Sequence, residues 1–227
     1  MNIITASNIN KTFKNKGENA NHILRDISLS IEKGKITSLM GASGVGKSTL
    51  LYILGTLESM DSGEITISIG DTTYDYSKLN ERNISLLRSK HIGFIFQFHH
   101  LLPEFTVLEN IMMPALLLNL PYKDVKVRAM ELMKQFGILD TMEHKPSSIS
   151  GGEQQRAAIA RAMVNSPDII FADEPTGNLD STNTDNVIHL ISKINAEMGI
   201  TFLIATHSQQ VAEHSDTIVK MKDGKIV

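Results

Sequence analysis

The chain predicts an α/β fold with a largely parallel, doubly wound sheet, and three observations carry that prediction. Short β-branched runs alternate with stretches of helical periodicity along most of the length. A glycine-rich turn joins one such run directly to one such helix. The 227 residues are 41% hydrophobic and 21% charged, which is ordinary globular usage and excludes collagen-like, low-complexity and disordered classes.

In chain order, Ile23 to Ile31 alternates apolar and polar positions, with Ile27, Leu29 and Ile31 two apart, and Lys35 to Met40 is a second strand. The glycine turn follows, and Ser48 to Leu57 carries Leu50, Leu51, Ile53, Leu54 and Leu57 at helical spacing. Further strands are expected at Glu64 to Ile69, Ile92 to Gln97, Asp168 to Ala172, Thr201 to Ala205 and Thr217 to Met221, the last turning at Asp223-Gly224 into a hairpin. Between Thr106 and Leu139 the texture changes: Leu108, Ile111, Met112, Leu116, Met130, Leu132, Met133 and Phe136 recur at helical spacing with no strand candidate. That stretch reads as a helical insert in the α/β core.

Composition also restricts the partners. A net charge of -3, from 22 basic against 25 acidic side chains, gives no global field for a phosphate polymer, so no nucleic acid partner is expected. The absence of cysteine excludes disulfides and thiolate metal sites. The longest apolar patch, Ile111 to Leu118, is interrupted by Pro114 and is far short of the roughly 18 to 20 residues that cross a bilayer. The N-terminus has no basic region followed by an apolar one, so a cytoplasmic location is expected.

Three segments carry chemistry. The loop Gly41-Ala42-Ser43-Gly44-Val45-Gly46-Lys47-Ser48-Thr49 has phosphate-loop spacing between a strand and a helix. Its glycines let successive N–H groups point at one anion, Lys47 would neutralise outer phosphates, and Ser48 would offer a hydroxyl to magnesium. Ile169 to Glu174 is an apolar strand ending in two carboxylates. Adjacent strand residues face opposite ways, so Asp173 is assigned to the metal and Glu174 to a water. Taken alone, an acidic pair before Pro175 is equally a solvated turn. Ser150-Gly151-Gly152-Glu153 precedes an alanine-rich helix, either as a second anion-binding helix end or simply as an N-cap. Two phosphate-seeking helix ends beside one lysine loop imply that the second serves a nucleotide held by another copy.

In this order and approximate spacing, the loop Gly41 to Ser48, Gln97, Ile149 to Glu153, Asp173-Glu174, Gly177 to Asp180 and His207 resemble the motifs of the ATP-binding subunits of ABC transporters. The resemblance covers almost the whole chain. It implies a P-loop NTPase cassette with a mainly parallel core sheet, an N-terminal antiparallel β part and a helical subdomain. The expected organisation is one domain over 1–227, with a core at 1–97 and 165–227 and the helical subdomain at about 98–164. The resemblance further implies a head-to-tail homodimer, with each ATP and Mg2+ between one copy's phosphate loop and the other copy's Ser150 to Glu153.

On this pattern Glu174 is the catalytic base, Gln97 senses magnesium and the attacking water, His207 clamps the γ-phosphate and Asp180 contacts the other copy. Phe13 stands where the family has an aromatic ring on adenine, most often Tyr; a core Phe is the alternative. The chain departs from the pattern at Ile149, Glu153 and Ser208, the last removing a carboxylate beside His207.

Within the family, Phe96 to Thr106 and Ala172 to Asp180 are most similar to the ATPases of bacterial lipoprotein-releasing complexes. That implies a peripheral place on the cytoplasmic face of the inner membrane, under membrane subunits of LolC/LolE type through which lipoprotein cargo is reached. Phe98, Leu101, Leu102 and Phe105 are the expected docking surface, against the alternative of a cover for the sheet edge. An ATPase of a macrolide-efflux or cell-division complex would share every ATP residue. A nucleic-acid or ribosome-associated member would carry a long coiled coil or tandem cassettes, and this chain has neither.

Overall fold

The computed structural model describes residues 1–13 and 20–227. Its centre is a six-stranded sheet of β3 (Ile36–Met40), β6 (Ile92–Ile95), β7 (Ile169–Asp173), β8 (Thr201–Thr206), β9 (Thr217–Lys222) and β10 (Lys225–Ile226). The spatial order is β10-β9-β3-β8-β7-β6, parallel except for the β9–β10 hairpin. Every residue of β7 and β8 is buried, as expected for strands covered on both faces.

The twofold alternation of a strand divides the core into two clusters. On β7, Ile169 and Phe171 face one way, toward β1 (Asn2–Phe13), β2 (Asn21–Glu32), β4 (Ser62–Ile69), α1 (Lys47–Leu54) and α2 (Glu81–His91). Ile170 and Ala172 face the other way, toward α3 (Val107–Leu117), α4 (Tyr122–Gln135), α5 (Gly151–Met163) and α6 (Ser181–Met198). The first layer contains the antiparallel sheet β2-β1-β4-β5, in which β5 is Thr72–Asp75. A short helix, α7 (Gln209–Glu213), follows β8.

The helical insert is two helices joined at Leu118 to Pro121, with α3 continuing through Pro114 to Leu117. α3 and α5 each begin in a reciprocal capping box, Thr106 with Glu109 and Ser150 with Glu153.

Three expectations need correction. The first helix stops at Leu54 with Gly55 as its C-cap, leaving Leu57 outside it and exposed. The strand expected at Ile92 to Gln97 ends at Ile95. The alternation in β2 changes phase. Asp26 adopts φ 56 and its N–H donates to Asn10 Oδ1, so Leu24 rather than Ile23 is buried on the face of Ile27 and Ile31. β1 and β5 were not among the expected strands.

Candidate functional site

The candidate chemical residues gather at the carboxyl ends of β3, β6, β7 and β8, where an open parallel sheet places its ligands. The loop after β3 enters α1 through Gly46, whose φ of 103 is a left-handed conformation that only glycine adopts without strain. A Cβ there would also stand 2.9 Å from Leu24 Cδ2. No side chain caps this helix, so its first N–H groups remain donors for an anion. The buried Lys47 ammonium donates to the carbonyls of Gly41 at 2.8 Å and Ala42 at 3.1 Å, and stands 3.9 Å from Glu174 Oε1.

α1 lies across the end of β7. Ser48 Oγ donates to Asp173 Oδ1 at 2.8 Å, and Tyr52 OH, one turn further along the same face, donates to Oδ2 at 2.7 Å. Burial first, and then the Asp173 carboxylate, push the Tyr52 phenol above its ordinary range, so it stays a donor. The paired Ser48 and Asp173 oxygens form a hard-donor set suited to Mg2+, which binds through one or two protein oxygens plus phosphates. Among the described residues no cluster of three or more His, Asp or Glu exists to hold a metal without the nucleotide.

Glu174 leaves the strand with φ 45, a conformation that costs a non-glycine residue on the order of 1–3 kcal/mol. The turn is held by Glu174 N–H donating to Ala205 O at 2.8 Å. Its carboxylate accepts from His207 Nδ1 at 2.8 Å and from Thr206 Oγ1 at 3.2 Å. Ser208 caps α7, and its N–H donates to Thr206 Oγ1 at 3.0 Å, tying the residue after His207 to the same hydroxyl.

Of these groups Lys47, Ser48 and Glu174 line a cleft of about 340 Å3, whereas Asp173 and His207 are connected to it through Ser48 and Glu174 without lining it. Ser43, Gly44, Gly46, Lys47, Ser48 and Thr49 form one wall, Gln97 and Glu174 another, and Phe13 with Ile23 the end. Phe13 is 41% exposed at the end of β1, and Lys11 Nζ stands 5.0 Å from its ring centroid. Asn178 Nδ2 holds the Gln97 carbonyl at 2.9 Å. Gly41, Ala42 and Val45 shape the loop without lining the cleft. A larger cavity, about 580 Å3 between the end of α1, β4 and α2, carries no comparable chemistry: its Glu58 pairs with Lys11 and its Arg88 with Thr56 O.

Ser150, Gly151, Gly152, Glu153 and Asp180 lie outside this cleft. Ser150 Oγ accepts from Glu153 N–H at 3.3 Å, while Glu153 Oε2 accepts from Ser150 N–H at 2.8 Å and from its hydroxyl at 2.7 Å. Asp180 caps α6 through Asn183 N–H at 2.8 Å. The two helix starts meet where a Cβ on Gly152 would displace the Asn183 side chain.

Sequence reading missed Tyr52, Thr206, Asn178 and Asn183 as supports. Only Tyr52 carried a readable signal, its four-residue spacing from Ser48.

Comparison with known proteins gives a consistent result. The family model described as ABC transporter matches residues 24–177. The chain is 46% identical to the lipoprotein-releasing system ATP-binding protein LolD of Aquifex aeolicus, over 99% of this chain and 96% of that protein. It is equally identical to LolD of Bacteroides fragilis, over 90% and 93% of the two chains. Among solved structures, the dimeric bacterial ABC transporter cassette MJ0796 superposes with a TM-score of 0.89 at 38% identity, covering 98% of this chain and 96% of that one. The same cassette in a post-hydrolysis state bound to ADP and Pi gives a TM-score of 0.88 at 36% identity, with the same coverage. The chain therefore belongs to the ABC transporter family, as an ATP-hydrolysing cassette.

Proposed function

We propose that this cassette powers release of outer-membrane-directed lipoproteins from the bacterial inner membrane, working as a homodimer under membrane subunits of LolC/LolE type. The observation that carries the ATPase chemistry is the convergence of Lys47, Ser48 and Glu174 on one cleft, with Asp173 held behind Ser48 and His207 on Glu174. Similarity to LolD proteins along nearly the whole chain supports the cargo.

ATP lies with its adenine against Phe13 and its phosphates over the α1 N-terminus. Lys47 exchanges its loop carbonyls for the outer phosphates, at little net loss of hydrogen bonding. Ser48, Gln97 and Asp173 would hold Mg2+, which would supply charge neutralisation at the phosphates. Glu174 accepts the proton of the attacking water. His207, whose Nδ1 donates to Glu174 in the nucleotide-free site, exchanges that partner for the γ-phosphate when ATP binds.

Ser150, Gly151, Gly152 and Glu153 of a second copy close the site from the opposite side, with Asp180 at the contact between copies. The helical subdomain at about 98–164, set on the core at 1–97 and 165–227, carries this second helix end and moves it on closure.

The docking surface for the membrane subunits is the segment after Gln97, beside a groove of about 350 Å3 floored by Phe94, Phe96 and His100. Phe98, Leu102 and Phe105 are exposed there, whereas Leu101 packs on the core and is part of the support. The segment is tied to α3 by the buried Asn110, which accepts from Leu102 N–H at 2.6 Å and donates to the carbonyls of Leu102, Phe105 and Thr106. No helix among the described residues is long and apolar enough to cross a membrane, which fits a peripheral subunit on the cytoplasmic face.

Affinity purification from crosslinked native membranes tests the assignment. Recovery of a LolC/LolE-like pair is expected. An efflux or division permease in its place would keep the ATPase and replace the cargo.

A further inference from the structure

Asp173 is only 7% exposed, and both of its oxygens are spoken for by one helix. Oδ1 accepts from Ser48 at 2.8 Å on the side of the phosphate loop, while Oδ2 accepts from Tyr52 at 2.7 Å. The Tyr52 ring is held in turn. Its centroid lies 6.3 Å from Phe96, which stacks on Phe94 at 5.7 Å, and Phe94 stacks on Phe171 at 5.5 Å. Phe171 belongs to the same strand as Asp173, so the phenol and the carboxylate it holds share one rigid frame.

Divalent cations differ in what they ask of a carboxylate. Ca2+ accepts both oxygens of one group and tolerates irregular geometry, whereas Mg2+ demands a near-octahedral shell and retains its waters. A carboxylate oxygen that accepts a phenol hydrogen bond keeps one lone pair but is a weaker and sterically hindered ligand, so chelation through both oxygens is disfavoured. We propose that Tyr52 is a positioning residue that caps Asp173 Oδ2, leaving Oδ1 as the better oxygen for the cation or its waters and thereby favouring Mg2+ over Ca2+. The inference rests on the reading of Ser48 and Asp173 as the metal-holding pair.

The test is equilibrium binding by calorimetry of the β,γ-imido analogue of ATP, with EDTA, with saturating Mg2+ and with saturating Ca2+. Parent protein, Tyr52→Phe and Asp173→Asn are compared. Tyr52→Phe keeps the ring and removes only the donor. It is expected to bind the metal-free analogue as the parent does, while the preference for the Mg2+ form over the Ca2+ form falls about five- to tenfold, roughly one hydrogen bond's worth. Asp173→Asn is expected to abolish the gain in affinity that cations give.

An unchanged Mg2+ to Ca2+ ratio in Tyr52→Phe, alongside loss of the cation effect in Asp173→Asn, would overturn the role of Tyr52 alone. Retention of the cation effect in Asp173→Asn would instead overturn the metal-holding pair. Equal weakening of all three forms in Tyr52→Phe would reduce the tyrosine to packing and overturn the proposal.

Discussion

The starts of α1 and α5 are both glycine-bearing helix ends, yet the chain treats them in opposite ways. At α1, Gly46 takes a left-handed conformation, no side chain caps the helix, and a buried lysine stands beside the bare N–H groups. At α5, Ser150 and Glu153 cap each other, and Glu153 is half-buried. An uncapped end has lost its own stabilisation and is built for a strongly held anion. A self-capped end is stable alone and has N–H groups left only for a weaker contact. On the proposed composite site, the difference assigns first binding of nucleotide to the α1 end and completion of the site to the α5 end.

The largest effect should come from the Glu174 carboxylate beside the α1 end. Glu174→Gln is expected to lower ATP hydrolysis about 10²- to 10⁴-fold, measured as phosphate release, with nucleotide affinity kept near the parent's. A second change separates the two helix ends. Lys47→Ala should weaken nucleotide binding by one chain about 10- to 100-fold, the loss of a charge-assisted contact, as read by calorimetry. Ser150→Ala should leave that binding unchanged while lowering stability to denaturant by about 1 kcal/mol, the loss of a cap. Equal losses of nucleotide affinity in the two variants would erase the distinction.

The smallest effect is one of pH. Hydrogen bonds from the Ser150 hydroxyl and then its N–H hold the Glu153 carboxyl below its ordinary range. A carboxylate with a depressed folded pKa contributes stability above its unfolded value of about 4.3, and loses it as pH falls through the folded value. The difference in melting temperature between the parent and Glu153→Gln should therefore shrink as pH falls below about 4. A difference independent of pH between 7 and 3 would mean that the charged cap is not formed.

Much of this contrast was legible in the sequence, and the remainder was hidden for identifiable reasons. The loop Gly41 to Thr49, the apolar approach to Asp173 and the cap at Ser150 are local patterns, and local chemistry is what a sequence displays. β1 escaped notice because Asn8, at φ 55, and its register shifts break the alternation, burying the neighbours Ile3 and Ile4 together. β5 is four residues at a sheet edge with no buried face to pattern. Thr206 and Asn183 act across the fold, on Glu174 and against Gly152, and such long-range pairings leave no spacing to read. Of Phe98, Leu101, Leu102 and Phe105, Leu101 packs on the core while the other three are exposed, and composition does not show which apolar residue turns inward.

The central claim, that the α1 and α5 ends are halves of one site completed by a second copy, is tested most directly by sedimentation velocity of the Glu174→Gln protein. With Mg-ATP the account predicts a particle of two chains, and with Mg-ADP one chain. Adding Gly151→Glu, a position with only Leu179 Cδ2 near the new Cβ at 4.0 Å, should leave ATP binding intact while the carboxylate repels the facing phosphate and keeps the chains apart. A single chain in Mg-ATP without that second change, or an equally stable pair with it, would contradict the account.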